Sequence, residues 1–252
     1  MKRIIYVSIF LLMPFMLSAQ SVVADKLAGD SAYVAGDYAS AITIYENLLS
    51  DNNESVDICY NLGNAYYKSG NIAKAVLNYE RAALLRPGDK DIEFNLELVR
   101  SKTVDKVVAL PRFFIAEWFD SIVNTMNIQA WSYAGILFFI TMLLTLLLFL
   151  FGKSIILRKI SFFTALFSLI MTIFANVAAY NQYIRLTERN EAVIMQPSVT
   201  VKSTPSNSGT DLFVIHEGRK VKISDDTMQG WKEIELEDGN IGWIPAEAME
   251  RI

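Results

Sequence analysis

Two long apolar runs in the second half of the chain constrain its fold more than any other feature. Residues 131–151 and residues 160–180 contain no charged side chain, and each run is 21 residues long. A helix of this length rises about 30 Å, which is the thickness of the hydrocarbon core of a bilayer. Trp131, Tyr133 and Tyr180 stand at the outer ends of the runs, where interface-seeking aromatic residues are expected. The sequence therefore predicts a hairpin of two transmembrane helices.

The segment between the two runs indicates how the hairpin is oriented. Residues 152–159 carry three Lys or Arg, whereas the twenty residues before the first run hold one and the twenty after the second hold two. Positive residues are retained in the cytoplasm, so we expect residues 152–159 to form a cytoplasmic turn. The chain would then be a two-pass protein of the bacterial inner membrane, with the sequence at both ends of the hairpin in the periplasm.

The first 19 residues are typical of an export signal. Lys2 and Arg3 precede an apolar stretch, and the following "LSA" ends in the small residues Ser18 and Ala19. Residues 1–19 are therefore predicted to be a signal peptide cleaved after Ala19. The alternative is an uncleaved anchor helix. Both alternatives send the following segment out of the cytoplasm, in agreement with the charge argument.

An internal repeat with a period of 34 residues follows the signal. Pairs at this offset include Gly29 with Gly63 and Tyr45 with Tyr79. The period is typical of helix–turn–helix solenoids. The second copy, "CYNLGNAYYKSGNIAKAVLNYERAALLRP", resembles the tetratricopeptide (TPR) repeat. The residues at the signature positions of that family are Leu62, Gly63, Tyr66, Ala75, Tyr79, Ala82 and Pro87.

The resemblance implies an α-helical TPR domain over residues 22–100, made of two repeats and a capping helix. Two repeats and a cap are close to the smallest stable stack, which favours additional support from a partner or from the membrane. TPR domains bind extended peptides or partner proteins in a groove lined by the first helix of each repeat. The resemblance assigns this groove to Lys26, Asp30, Tyr33, Tyr60, Asn64 and Tyr67.

One subclass of TPR domains clamps the C-terminal carboxylate of its ligand with Lys, Asn, Asn, Lys and Arg. The matching positions here are Lys26, Asp30, Asn61, Asp91 and Asn95. Two of the five positions agree, and the two aspartates would repel a carboxylate. We therefore expect no carboxylate clamp.

Residues 111–127 form an amphipathic pattern directly before the hairpin. Apolar residues recur there at helical spacing, namely Ile115, Trp118, Phe119, Ile122 and Met126. The pattern predicts either a helix in the membrane interface or a helix packed against the end of the TPR stack.

The tail, residues 191–252, consists of short β-rich runs divided by turn residues, which predicts a small all-β domain. It resembles bacterial SH3-like (SH3b) domains, which implies an SH3-like barrel and a connection with cell-wall peptides. The matching residues are Val199, Val201, Pro205, Gly218, Gly230, Trp231, Asp238, Gly239, Gly242, Trp243 and Ile244, with Lys202 in place of the usual Arg.

Trp231 and Trp243 are expected in the core of the barrel, and stacking on a ligand is the alternative. His216 is expected to be a surface or edge residue.

Composition excludes several classes of function. The net charge of −4 and the lack of a basic patch disfavour nucleic-acid binding. The single cysteine, Cys59, and the single histidine, His216, disfavour His-dependent nucleophilic catalysis and multi-His metal sites. Cys59 stands where the TPR pattern has Trp, and a small buried residue is favoured there over a reactive thiol. We expect no cofactor, no metal and no enzymatic activity.

The order of the segments resembles, over the whole chain, the BatE-type proteins of the Bacteroides aerotolerance group. That resemblance implies an envelope assembly with membrane-anchored von Willebrand-A proteins and a MoxR-type ATPase, and a connection with oxidative or envelope stress. The sequence thus favours a membrane-anchored scaffold. The alternative is a cell-wall tether whose SH3b domain binds peptidoglycan peptides. A hydrolase is disfavoured by the lack of Cys–His or Ser–His pairing, and a transporter by the scarcity of polar residues in the spans.

Overall fold

A computed structural model describes residues 24–50, 55–106 and 114–252. The predicted signal peptide, residues 1–19, lies outside the described residues. The described chain forms two compact units. The first contains the N-terminal helices together with the C-terminal β-sheet, and the second contains the two long apolar helices with the helix that precedes them.

The N-terminal helices form two antiparallel pairs and a fifth helix, which confirms the predicted TPR region. Their bounds are α1, residues 24–34; α2, Tyr38–Ser50; α3, Val56–Ser69; α4, Ile72–Leu85; and α5, Lys90–Arg100. Ser55 caps α3 by accepting a hydrogen bond from the N–H of Ile58. Gly70 ends α3 at φ 87°, a left-handed conformation that glycine adopts without strain.

The same glycine–tyrosine contact holds both helix pairs together. A Cβ atom on Gly63 would lie 2.9 Å from Cδ1 of Tyr79, and one on Gly29 would lie 2.7 Å from Cε1 of Tyr45. Both tyrosines are almost fully buried. A glycine is therefore required in the first helix of each repeat because the ring from the second helix occupies the space of a side chain.

Helix α4 is buried on more sides than a surface helix normally is. All six residues from Ala75 to Glu80 are buried, whereas an amphipathic surface helix buries a single stripe. The repeats cover one side of α4, and the β-sheet covers another, where the methyl group Cγ2 of Val76 faces Gly218. The short TPR stack thus receives its additional support from the chain's own C-terminal domain.

The C-terminal region is a sheet of seven strands in which every pairing is antiparallel. The strands are β1, Glu191–Ile194; β2, Ser198–Lys202; β3, Asp211–His216; β4, Lys220–Asp225; β5, Trp231–Glu235; β6, Ile241–Pro245; and β7, Met249–Arg251. Their order in the sheet is β3-β2-β6-β5-β4-β1-β7. The prediction of an all-β domain is confirmed. Its core is aliphatic and includes Val201, Ile234 and Ile244.

The two tryptophans of the sheet lie outside this core, contrary to the expectation from sequence. Ile234 and Ile244 are fully buried, but Trp231 and Trp243 are only half-buried. Successive side chains of a strand point to opposite faces, and Glu233 pairs with Trp243 in the register of β5 and β6. Trp231 and Trp243 therefore share the face opposite to the buried isoleucines.

The second unit contains three helices: α6, Phe114–Val123; α7, Ile128–Phe151; and α8, Ile155–Glu188. Ring pairs between α7 and α8 run in opposite directions along the two helices. The centroid distances are 5.6 Å for Trp131–Phe174, 6.4 Å for Phe138–Phe167 and 5.7 Å for Phe149–Phe162. The helices are antiparallel, and both are long and apolar enough to cross a membrane, with mean hydropathies of 2.7 and 2.0.

The boundaries of the second long helix differ from the prediction. The predicted turn, 152–159, is helical from Ile155 onwards, and α8 continues beyond residue 180 to Glu188. The connection between the helices is therefore only residues 152–154. The prediction followed the charge-free runs, but the helix also passes through charged residues because neither Pro nor Gly interrupts residues 155–188.

Helix α6 packs against the hairpin. The indole Nε1 of Trp131 and the amide Nε2 of Gln182 each donate to the carbonyl oxygen of Val123 at 2.8 Å. An ion pair of 2.8 Å joins Arg185 to Asp120. The amphipathic pattern of residues 111–127 thus forms a shorter helix than expected, and residues 111–113 lie outside the described residues.

Candidate functional site

The predicted groove residues lie on the first helices of the two repeats. All six of them, Lys26, Asp30, Tyr33, Tyr60, Asn64 and Tyr67, are half-buried. Half-buried polar and aromatic side chains are suited to contact a partner because their own helices already hold part of each side chain in place.

A pocket of about 210 Å³ opens between α1 and α3. It is lined by Asp30, Tyr33, Val34, Tyr45, Asn61 and Asn64. Three of the predicted groove residues therefore meet in one pocket. Tyr45, from the second helix of its repeat, was not predicted to contribute. The repeat pattern could have predicted this contribution. A tyrosine of the second helix that fills the space between the two helices of its repeat can extend its hydroxyl to the first helix, which lines the groove.

Asp30 is the hydrogen-bonding centre of the pocket. The hydroxyl of Tyr45 donates to its Oδ1 at 2.7 Å, the amide of Asn61 donates to the same oxygen at 2.9 Å, and Lys26 pairs with Oδ2 at 3.0 Å. Partial burial opposes ionisation, but the hydrogen bonds from Tyr45 and Lys26 outweigh it and lower the pKa of Asp30. Asp30 is therefore an anion at neutral pH.

The second repeat has the same hydrogen bond from a tyrosine hydroxyl, but the acceptor is a neutral residue. The hydroxyl of Tyr79 donates to Oδ1 of Asn64 at 2.6 Å, and Asn64 stands 34 residues after Asp30. The tyrosine–polar contact is thus part of the repeat, and the two copies differ in charge. Only the first copy supplies a carboxylate.

The remaining predicted residues lie beside the pocket. Lys26 reaches Asp30 without lining the pocket. The hydroxyl of Tyr60 accepts a hydrogen bond of 2.6 Å from Asn95, which joins α3 to α5. Tyr67 is half-buried further along α3. Asn61, one of the two clamp positions that agree with the subclass, lines the pocket, and its amide donates to Asp30.

A second group of polar contacts joins the TPR helices to the sheet. The carboxylate of Glu80 on α4 is only 5% exposed, and it pairs with Arg100 on α5 and with Lys220 on β4, the latter at 3.1 Å. Burial would raise the pKa of Glu80, but the two cations outweigh it and lower the pKa. Burial likewise opposes the charge of Lys220, but Glu80 and Glu191 raise its pKa.

Further pairs surround this buried carboxylate. Glu250 of β7 pairs with Lys74 at 2.7 Å and with Arg81 at 3.3 Å, both on α4. Asp105 accepts a hydrogen bond of 2.8 Å from the backbone N–H of His216, and its other oxygen lies 2.7 Å from Nδ1 of that ring. His216 ends the edge strand β3, in agreement with the prediction of a surface or edge residue, and its ring also takes part in this internal contact.

These contacts hold the TPR helices and the sheet together in one compact unit. The antiparallel pair α7 and α8 separates the two modules in sequence.

The described residues contain no group of three or more His, Cys, Asp or Glu that could hold a metal ion. Cys59 is buried in α3, as expected for a small residue that replaces Trp. The candidate site consists of the groove and its pocket.

Comparison with known families shows that residues 32–95 match the tetratricopeptide repeat. The match begins in α1 and ends in α5, so it covers most of the helical part of the first unit. No curated protein matches the chain. The TPR region supports protein–protein interaction as the activity of the groove.

Proposed function

We propose that this protein is a non-enzymatic scaffold anchored in the bacterial inner membrane by α7 and α8. Its TPR groove and its β-domain present interaction surfaces in the periplasm. The observation that carries the proposal is the docking of the TPR helices on the sheet through Glu80 and Lys220, combined with the antiparallel hairpin. A scaffold of this kind holds two binding surfaces at a set distance beside the membrane.

The β-domain is proposed to be an SH3-like barrel, and the protein to be of the BatE type. The antiparallel sheet and the spacing of its Gly–Trp pairs support the first proposal, and the order of segments supports the second. On this proposal, von Willebrand-A membrane proteins of the same system are the partners, and the assembly acts in aerotolerance or envelope stress. Co-purification of such proteins with the full chain tests the assignment.

Cysteine labelling tests the topology. In a Cys59→Ala background, Ser208→Cys places a thiol in the exposed β2–β3 loop, and Ser154→Cys places one in the connection between α7 and α8 without removing a basic residue. We expect a membrane-impermeant maleimide to label Cys at 208 in intact spheroplasts, and at 154 only after lysis. The reverse pattern would overturn the proposed sidedness.

Site-specific photo-crosslinking tests the groove. A photoreactive phenylalanine analogue at Tyr67 should crosslink the partner in cells, whereas the same analogue at Ser40, exposed on α2, should not. Equal crosslinking from both positions would indicate that the partner does not use the groove.

The alternative function, a cell-wall tether, is favoured by one observation. Trp231 and Trp243 share the face of the sheet opposite to the core, where they are available to stack on a ligand. The full chain in detergent should then sediment with isolated peptidoglycan, and Trp243→Ala should reduce the bound fraction. The absence of binding by the unaltered chain removes this alternative and leaves the scaffold.

A further inference from the structure

The charge and the shape of the pocket in the TPR groove indicate which kind of partner side chain it binds. We propose that it binds a basic side chain, lysine or arginine, from an extended segment of the partner protein. The inference rests on the proposed function, because it assumes that the groove binds a polypeptide. It adds the chemistry by which one position of that polypeptide is selected.

The charge of the lining supports a cationic guest. Asp30 is the one charged residue among the six that line the pocket. Its Oδ1 accepts from Tyr45 and Asn61, and its Oδ2 accepts from Lys26. A carboxylate has about four lone-pair positions, so it can accept a further donor. A guanidinium or ammonium group supplies that donor together with the opposite charge.

The resident cation does not prevent binding. Lys26 pairs with Asp30 from the preceding turn of α1, and its side chain is 30% exposed. Pairs of this kind at i,i+4 contribute little because solvent screens them. An incoming cation therefore either shares Asp30 with Lys26 or takes its place at small cost.

The shape and the apolar lining also fit one long basic side chain. The pocket is smaller than the 300–1,000 Å³ or so of typical small-molecule sites, so it suits a single side chain. Val34 is 85% exposed and offers an apolar wall for a methylene stem. The ring of Tyr33 also lines the pocket, where it can attract the cation through its π face.

An anionic guest is disfavoured by the same lining. None of the six lining residues carries a positive charge, and Asp30 would repel a carboxylate. One of the two N–H groups of the Asn61 amide, which are donors that an anion would need, already donates to Asp30. The pocket therefore selects against the C-terminal carboxylate that other TPR grooves clamp.

Peptide selection followed by affinity measurement tests the inference. Randomised nonapeptides on phage are selected against the full chain in nanodiscs of phosphatidylcholine, a zwitterionic lipid that does not retain basic peptides by charge. We expect enrichment of Lys or Arg at one position. Replacement of that residue by norleucine in a labelled synthetic peptide should weaken binding about tenfold or more, as for the loss of a charge-assisted hydrogen bond.

Two variants separate the pocket from general electrostatics. Lys26→Gln removes the competitor of the guest and should tighten binding of the basic peptide severalfold. Lys68→Gln removes an equal charge at an exposed position of α3 outside the pocket and should not. Asp30→Asn should abolish the difference between the basic and the norleucine peptide. Misfolding does not explain a gain of affinity, so the first variant remains informative even if Asp30→Asn destabilises the repeats.

The outcomes distinguish the inference from the proposed function. Selected peptides that lack a basic residue, yet bind less tightly after Tyr33→Ala and Tyr67→Ala, would overturn the inference and leave the groove as a peptide site. Equal effects of Lys26→Gln and Lys68→Gln would also overturn the inference. If no peptide is selected, or none responds to the two tyrosine variants, the groove does not bind peptides and both proposals fail.

Discussion

The carboxylate of Glu80 on α4 lies 3.1 Å from the ammonium group of Lys220 on β4, although the two residues are 140 positions apart in the chain. The two long apolar helices, α7 and α8, separate them in sequence. This buried pair joins a TPR repeat to the C-terminal sheet, and it makes the two modules one compact unit. A ligand that binds one module therefore binds a compact unit in which the position of the other module is already set.

Loss of the Glu80 charge should weaken this docking. Glu80→Gln leaves Arg100 and Lys220 near each other without their shared anion, and the loss of one partner of a buried ion pair typically costs about 3 kcal/mol. Hydrogen–deuterium exchange of the full chain should accelerate in α4 and β4. Glu93→Gln removes an exposed carboxylate from α5 and is the matched control. Unchanged exchange in both variants would mean that Glu80 does not stabilise the docking.

The docking should also depend on pH in a defined direction. The pKa of Glu80 is lowered from 4.5, so its contribution is fully present above that value and is lost as the pH falls through the lowered pKa. The pKa of Lys220 is raised from 10.5, so its contribution is present below that value and is lost as the pH rises through the raised pKa.

We therefore expect constant exchange protection of β4 between about pH 5 and 9 and a loss only at more acidic or more alkaline values. In Glu80→Gln the loss of exchange protection at acidic pH should become smaller, because the titrating carboxyl group is absent. An acidic transition of the same size in both proteins would assign it to other carboxylates.

A side chain at Gly63 should separate the helices of the second repeat. The Cβ of Gly63→Ala would lie 2.9 Å from Cδ1 of Tyr79, a ring that is 1% exposed. Overpacking of this kind costs about 1–3 kcal/mol, although Gly→Ala usually stabilises a helix by about 1 kcal/mol. Native-state hydrogen exchange of α3 and α4 measures the change. The penalty should decrease when Tyr79→Leu removes the ring, and an equal penalty in that background would exclude a steric cause.

Gln182 should hold α6 against the hairpin. Its amide donates to the carbonyl oxygen of Val123, the last residue of α6, at 2.8 Å, and to that of Met126, in the turn after the helix, at 2.7 Å. Gln182→Leu leaves both carbonyls without this donor, and exchange of the backbone of residues 119–126 should increase. Asn181→Leu makes the same chemical change one residue earlier and should have little effect. A similar response of both variants would point to a general effect of the added leucine on α8.

The elements of this protein follow from local patterns in the sequence. The charge-free runs predict α7 and α8, the 34-residue repeat predicts α1 to α4, and short alternating runs predict the strands. In each case the side chains that determine the element lie within a few helical turns, or within one strand, of one another. The ends of α8 were predicted less well, because a charge-free run marks apolar residues and not the end of a helix. The run ends at residue 180, but α8 continues to Glu188 because neither Pro nor Gly interrupts it.

The candidate site could be predicted only in part. The repeat pattern located Asp30, Tyr33 and Asn64 in the groove, because their positions follow from the geometry of a helix pair. It did not show that Tyr45 and Asn61 turn towards Asp30, since hydrogen bonds between helices depend on how closely the helices approach. That approach is set by the contacts of Gly29 and Gly63 with the tyrosine rings.

The sequence by itself determined the modules, their order and the charge of the connection between the two long helices. Tertiary structure alone decided which polar side chains meet: Glu80 with Lys220, Glu250 with Lys74, and Asp105 with His216. The physical reason is that periodicity acts over a turn or a strand, whereas the pairing of charges depends on which surfaces the folded chain brings together. No spacing along the chain distinguishes Glu80 from an exposed glutamate until the sheet covers it.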